Sequence, residues 1–179
     1  APEMSPSHLR LIETSAPSNA AGATLNGANI TLSTGDAASL ISGVINLEGI
    51  QQANAIVVSG NTVELKSALQ ASSVSGSSNV VNVHPGAGVQ DAVDIARAGG
   101  IVNVGAGDYS PGLVTYAGSS PGAYDAGTFK QILVDKPLTI NGETGARILV
   151  DLPTDTSLTG RTVGFTVAAD DVTINNMEI

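Results

Sequence analysis

Between Val89 and Glu143 the chain reads as an amphipathic segment followed by strands too short to be stable alone. Ten residues, Val89 to Ala98, lead through Gly99-Gly100 into the β-branched runs Ile101 to Val104, Gln131 to Val134 and Leu138 to Ile140, each closed by Gly, Asn or Asp. Strands of three to five residues bury a face only when successive turns of chain stack on one another. The amphipathic segment then predicts one short helix, either capping such a stack or joining two portions of it.

The same punctuation runs upstream. Apolar runs at Ala28 to Leu32, Val44 to Leu47, Ile56 to Val58, Val63 to Leu65 and Val80 to Val83 are separated by Gly, Asn, Ser and Asp clusters, at intervals of roughly ten residues. Hairpins would show longer alternating strands joined by two-residue Asn-Gly or Asp-Gly turns. The spacing predicts coils of roughly 20 to 25 residues, each rising by the ~4.8 Å separation of paired strands. The expected class is all-β, a right-handed parallel β-helix (β-solenoid) with one short internal or capping α-helix.

Three portions follow: residues 1–22 as an extended lead-in or edge segment, 23–84 as early coils, and 85–179 as helix-capped coils interrupted by an insertion at 111–129. A long Gly-, Pro-, Ser- and Tyr-rich excursion on a regular scaffold is a frequent place for binding, which makes Tyr116, Tyr124 and Phe129 candidate contact residues. The last residues, DDVTINNMEI, stop inside what reads as a rung. That favours a piece of a longer solenoid, with an end covered by another subunit as the alternative.

Composition supports thin, tightly turning strands: hydrophobic residues make up 42% but aromatics only 3%. A net charge of −9 without a basic stripe argues against nucleic acid as a partner. Cysteine is absent, so neither a disulfide framework nor a thiolate metal site is available. No apolar run approaches the roughly 18 residues of a membrane span. The first ten residues lack the order of a signal peptide, so a secreted chain would already be processed.

The helix VQDAVDIARAGG, the rung IVNVGAGDY and the segment DKPLTINGE resemble the opening of pectin-lyase-like right-handed parallel β-helix proteins. The resemblance spans Val89 to Ile179 and implies a fold more than an activity. Leu40 to Leu69, with the run QANAIVVSGNTVEL, is similar to the secretion-domain region of filamentous-haemagglutinin-type adhesins exported by two-partner secretion, although the Asn-Pro-Asn-Gly signature of that region is absent. Together the two resemblances imply a secreted, cell-surface or extracellular protein.

Enzymes on such folds commonly gather carboxylates for calcium beside an Arg or Lys. Here Asp135, Asp151, Asp155, Asp170 and Asp171, with Lys136, Arg147 and Arg161, form no compact motif. Asp170 and Asp171 are the candidate metal ligands, for calcium if any cofactor is bound, but a turn role before Val172 competes with that reading. Asp135-Lys136-Pro137 reads as a solvated charge pair in a turn, and His84 as a structural residue in a linker. Asn141, Asn175 and Asn176 follow strand ends, where stacked amides form ladders.

The expected function is therefore a non-enzymatic, secreted structural or adhesive segment that contacts a host or self surface glycan or protein. Two alternatives stay open: part of a polysaccharide lyase, hydrolase or epimerase, and a self-assembling filament subunit that forms homo-oligomers through its ends.

Overall fold

The computed structural model describes residues 9–13, 18–19, 24–26, 28–34, 44–116, 127–150 and 162–179. In chain order these hold β1 (Leu9–Glu13), β2 (Ser18–Asn19), β3 (Thr24–Asn26), β4 (Asn29–Thr34), β5 (Val44–Leu47), β6 (Ile50–Ser59), β7 (Thr62–Leu65), β8 (Leu69–Gly76) and β9 (Ser78–Val83). The single described helix, α1 (Val89–Ile95), follows. After it come β10 (Ala96–Val104), β11 (Gly107–Tyr109), β12 (Leu113–Tyr116), β13 (Gly127–Val134), β14 (Leu138–Gly142), β15 (Ala146–Ile148), β16 (Thr162–Val167) and β17 (Thr173–Asn175).

The chain is mostly β, and among the described residues every strand pairing is parallel except β12 with β13. One sheet runs β17-β14-β10-β9-β7-β5-β2, and a second runs β1-β4-β6-β3 with β8 on the other side of β6. Two smaller sheets, β11-β15 and β12-β13-β16, complete the set. Stacked partners along the seven-stranded sheet are 18, 21, 38 and 34 residues apart in sequence.

Why these runs become strands follows from their alternation. Ile45, Val63, Val81, Val102 and Ile140 stand in register on successive strands and are fully buried. Leu47, Leu65, Val83 and Val104 form a second buried file two positions on. Each such side chain gains about 1.5–3 kcal/mol by leaving water. A slip of one residue would turn both files outward, so the files set the register.

Between them lies a third file: Asn46, Glu64, Asn82, Asn103, Asn141 and Asn175. The Nδ2 of Asn82 donates to Glu64 Oε1 (2.5 Å), Asn103 to Asn82 Oδ1 (2.9 Å), Asn141 to Asn103 Oδ1 (3.5 Å) and Asn175 to Asn141 Oδ1 (3.0 Å). The expected ladder is present for Asn141 and Asn175, whereas Asn176 donates instead to the carbonyl of Gly142. At the Glu64 rung the chain of donors stops. A carboxylate has no hydrogen to offer, and the Oδ1 of Asn46 in the next rung is buried without a partner.

The structure corrects several sequence expectations. The helix ends at Ile95, not Ala98, because Ala96 already has extended angles (φ −65°, ψ 140°). Gly99-Gly100 lies inside β10, where Gly99 takes φ +73° and the register against β9 shifts. Strands exceed five residues in β4, β6, β8, β9, β10, β13 and β16. In β8 the less exposed positions are Leu69, Ala71, Val74 and Gly76, so strict alternation fails at the exposed pair Ser72-Ser73. Against the 20 to 25 residues expected per coil, stacked partners stand 18 residues apart before α1 and 38 and 34 apart after it.

The seven-stranded sheet continues past residue 84, since β9 pairs with β7 on one side and β10 on the other. Part of the 1–22 lead-in is paired as well, with β1 on β4 and β2 on β5. The stem of the 111–129 insertion is an antiparallel hairpin, with Leu113 opposite Lys130 and Tyr116 opposite Gly127. Residues 117–126 lie outside the described residues.

Candidate functional site

Helix α1 occupies a place where a strand is missing. It packs against β8 and β13 as well as β9 and β10, while β8 and β13 do not pair with each other. Val89, Ala92, Val93 and Ile95 turn inward and are buried, the spacing of a helical stripe. That stripe leaves Gln90, Asp91 and Asp94 on the other face, and all three side chains address the gap.

Two of them do the hydrogen bonding a strand would have done. Gln90 accepts from the N–H of Leu133 (2.7 Å) and donates to its carbonyl (3.3 Å), so one amide side chain satisfies both polar groups of that β13 residue. Asp91 Oδ2 accepts from the N–H of Leu69 at the start of β8 (3.2 Å). Edge groups of a strand need such partners when water is excluded. The sequence expectation for Lys136 is also corrected: its Nζ donates to the carbonyls of Ala96 (2.9 Å) and Asp94 (3.3 Å), holding the C-terminal end of α1.

A groove of about 430 Å³ opens between the two edges. Ala71, Ser72, Ser73 and Val74 line it from β8, Gly112, Val114 and Leu133 from the β12–β13 side, and Gln90, Asp91, Asp94 and Asp135 complete it. Burial raises the Asp91 carboxyl above the ordinary carboxylate range, against the opposing pull of the Leu69 N–H. Asp94 is pushed up to about 6, chiefly by burial, with Asp91 and Asp135 adding to the rise. The hydrogen bond from Gln90 Nε2 (2.8 Å) and the charge of Lys136 act in the other direction. A half-buried carboxyl titrating near neutrality in a groove marks a functional candidate.

The residues singled out from sequence fall elsewhere. Tyr116 ends β12 and Phe129 lies opposite Val114 in β13, both on the hairpin stem, and Tyr124 is outside the described residues. Gln131 anchors that stem: its N–H donates to Gly112 (2.9 Å), its Nε2 to the carbonyl of Val114 (3.0 Å), and its Oε1 accepts from Thr166 (2.5 Å). Asp170 and Asp171 are exposed in a bend, with Asp171 at φ +56°. Asp151, Asp155 and Arg161 lie outside the described residues. Among the described residues no three His, Cys, Asp or Glu side chains converge as metal ligands. His84 pairs through Nε2 with Glu64 Oε2 (2.8 Å), a contact between half-exposed side chains.

Gln90, Asp91 and Asp94 were not singled out by the sequence reading. The available signal was the i, i+4 pair Gln90–Asp94 on the polar side of an amphipathic segment, but nothing local reveals that the neighbouring strands leave a gap there. The chain matches no protein-family model, no curated protein and no solved structure. No helix among the described residues is long and apolar enough to cross a membrane.

Proposed function

We propose that the chain is a right-handed parallel β-helix acting as a secreted structural or adhesive scaffold, which holds a contact surface for a glycan or protein on a host or sister cell. The observation that carries this reading is the in-register parallel stack, with aliphatic files inside and an amide ladder outside. Such a stack is stiff along its length and extends by repetition, which suits projection of a surface. The contact residues on this reading are Tyr116 and Phe129 on the hairpin stem that Gln131 clamps, with Tyr124 from the same 111–129 insertion.

The test is binding of the purified chain to arrays of glycans and matrix proteins, beside a variant with residues 117–126 replaced by a short Gly-Ser linker. Binding should fall at least tenfold in the variant while its β-sheet circular dichroism is unchanged. Equal binding by both proteins removes Tyr124 and its loop from the proposal, equal binding by Tyr116→Ala/Phe129→Ala removes the stem, and no binding by any of them removes adhesion. A crystal structure with the opposite hand of coil would overturn the fold assignment.

Asp94 favours one second reading. A carboxyl at about 6 beside Asp91 and Asp135 has the protonation behaviour of a general acid–base group, as a polysaccharide lyase, hydrolase or epimerase requires. Turnover of an acidic polysaccharide that disappears in Asp94→Asn would support this reading, and activity insensitive to that change would exclude it.

A further inference from the structure

We propose that the groove between β8 and β13 binds an extended basic segment of a partner protein, which lies along the open edge of β8 and sets its Lys or Arg side chains against Asp91, Asp94 and Asp135. This inference goes beyond the adhesive reading and rests on different residues from the hairpin.

Three observations carry it. First, among the described residues β8 pairs with β6 alone. Its far edge is closed at Leu69 by Asp91, and at Gly76 the Ile95 carbonyl comes so close that an added Cβ would lie 2.7 Å from it. The stretch from Ala71 to Val74 between those points lines the groove. An unpaired strand edge is a template for another extended chain. Second, part of the opposite lip is Gly112, which is exposed and presents no side chain to block an incoming backbone.

Third, the charge is one-sided. Asp91, Asp94 and Asp135 all line the groove, and the nearby ammonium of Lys136, held by the carbonyls of Asp94 and Ala96, sets one cation against three carboxyl groups. These carboxylates do not converge on one point among the described residues. Dispersed carboxylates suit cations repeated about 7 Å apart on alternate residues of a strand better than a single metal ion. Asp94 is faced by Gln90 and Asp91 from its own helix and by Asp135 and Lys136 from the β13–β14 connection, so its protonation should release the segment in mildly acidic solution.

The probe is a fluorescein-labelled, amide-capped peptide, Thr-Lys-Val-Lys-Val-Lys-Thr, titrated with the full chain by fluorescence anisotropy at pH 7.5 and low salt. Saturable binding is expected, weakened about tenfold in Asp94→Asn/Asp135→Asn, which is the loss of roughly 1.4 kcal/mol. The doubly substituted protein is checked by thermal melting, so that misfolding is not read as lost affinity. Wild-type binding should also fall between pH 7.5 and 5, and this fall should be smaller in Asp94→Asn. A peptide with Glu in place of Lys, or with alternate backbone nitrogens methylated, should not bind.

Equal affinity for the Lys and Glu peptides would overturn the charge argument, and unchanged binding of the methylated peptide would overturn edge pairing. Displacement by spermidine at matched charge concentration would reduce the site to a polyamine sink and refute the protein partner. The variant with residues 117–126 replaced should bind the Lys peptide as wild type does, which separates failure here from failure of the hairpin proposal.

Discussion

Replacing Asp94 by Asn should make this protein more stable at neutral pH and leave it unchanged in acid. The Asp94 carboxyl sits on the outer face of α1, and burial raises its pKa from 3.8 to about 6. A raised carboxylate pKa means that the folded chain holds the proton more tightly than the unfolded chain does. The stability associated with the protonated form is thus complete below about pH 4 and is lost as pH rises through 6. A gap of about two pH units at 1.36 kcal/mol each sets a ceiling near 3 kcal/mol. Because the groove is open to solvent, screening brings the expected value to about 1.5 kcal/mol. Asn retains an oxygen for the Gln90 N–H at 2.8 Å and carries no charge to desolvate.

Urea unfolding followed by circular dichroism at pH 4, 5, 6 and 7.5 checks this. Subtracting the two proteins at each pH cancels contributions shared with Asp91. The gain in Asp94→Asn should be near zero at pH 4, grow between pH 4 and 6, and level off at about 1.5 kcal/mol, roughly 3–6 °C in Tm. A gain that is the same at every pH, or a loss at pH 7.5, would refute the claim that the fold holds a desolvated carboxylate there.

Three further outcomes follow from the packing. Gln90→Ala removes the partners of both Leu133 backbone groups and should cost about 2 kcal/mol, with faster amide exchange at Leu133 as the specific readout. Gly76→Ala puts a methyl group against the carbonyl oxygens of Val58 and Ile95; because both obstacles are backbone, a loss of about 3 kcal/mol is expected in denaturant unfolding. Ile140→Ala, at a site with 0% exposure, should cost about 3 kcal/mol, whereas Ile101→Ala, 38% exposed, should stay within about 1 kcal/mol. Similar losses at the two isoleucines would contradict the inward file.

Much of the β character was legible because it is local. Val63, Val81 and Val102 stand inside for the reason the sequence pattern indicates: β-branched residues at alternate positions, bounded by turn formers, favour a strand with one dry face. The helix was legible in type but three residues too long. Its end depends on Ala96 and the following residues joining the β9 ladder, a contact with residues nearly twenty positions earlier in the chain. Asn141 and Asn175 were legible as ladder members because their place at strand ends is local. Glu64, which ends the ladder by accepting from Asn82, and the orphaned Asn46 oxygen beside it were not.

Asp135-Lys136 shows the limit most clearly. In sequence it is an ion pair before a proline, yet Lys136 turns away to the carbonyls of Asp94 and Ala96, about forty residues earlier.

By itself, then, the sequence determined the all-β class, the position of one amphipathic helix and the short-strand punctuation, because alternation, β-branching and turn residues act over a few neighbours. Only the tertiary structure decided that α1 stands between β8 and β13, that Asp91 and Gln90 bond one edge residue of each, and that three carboxylates share one groove. Those facts depend on which strands become neighbours across 20 to 40 residues of chain. Hydrogen bonds and desolvation act over a few ångströms of space, whatever the separation in sequence.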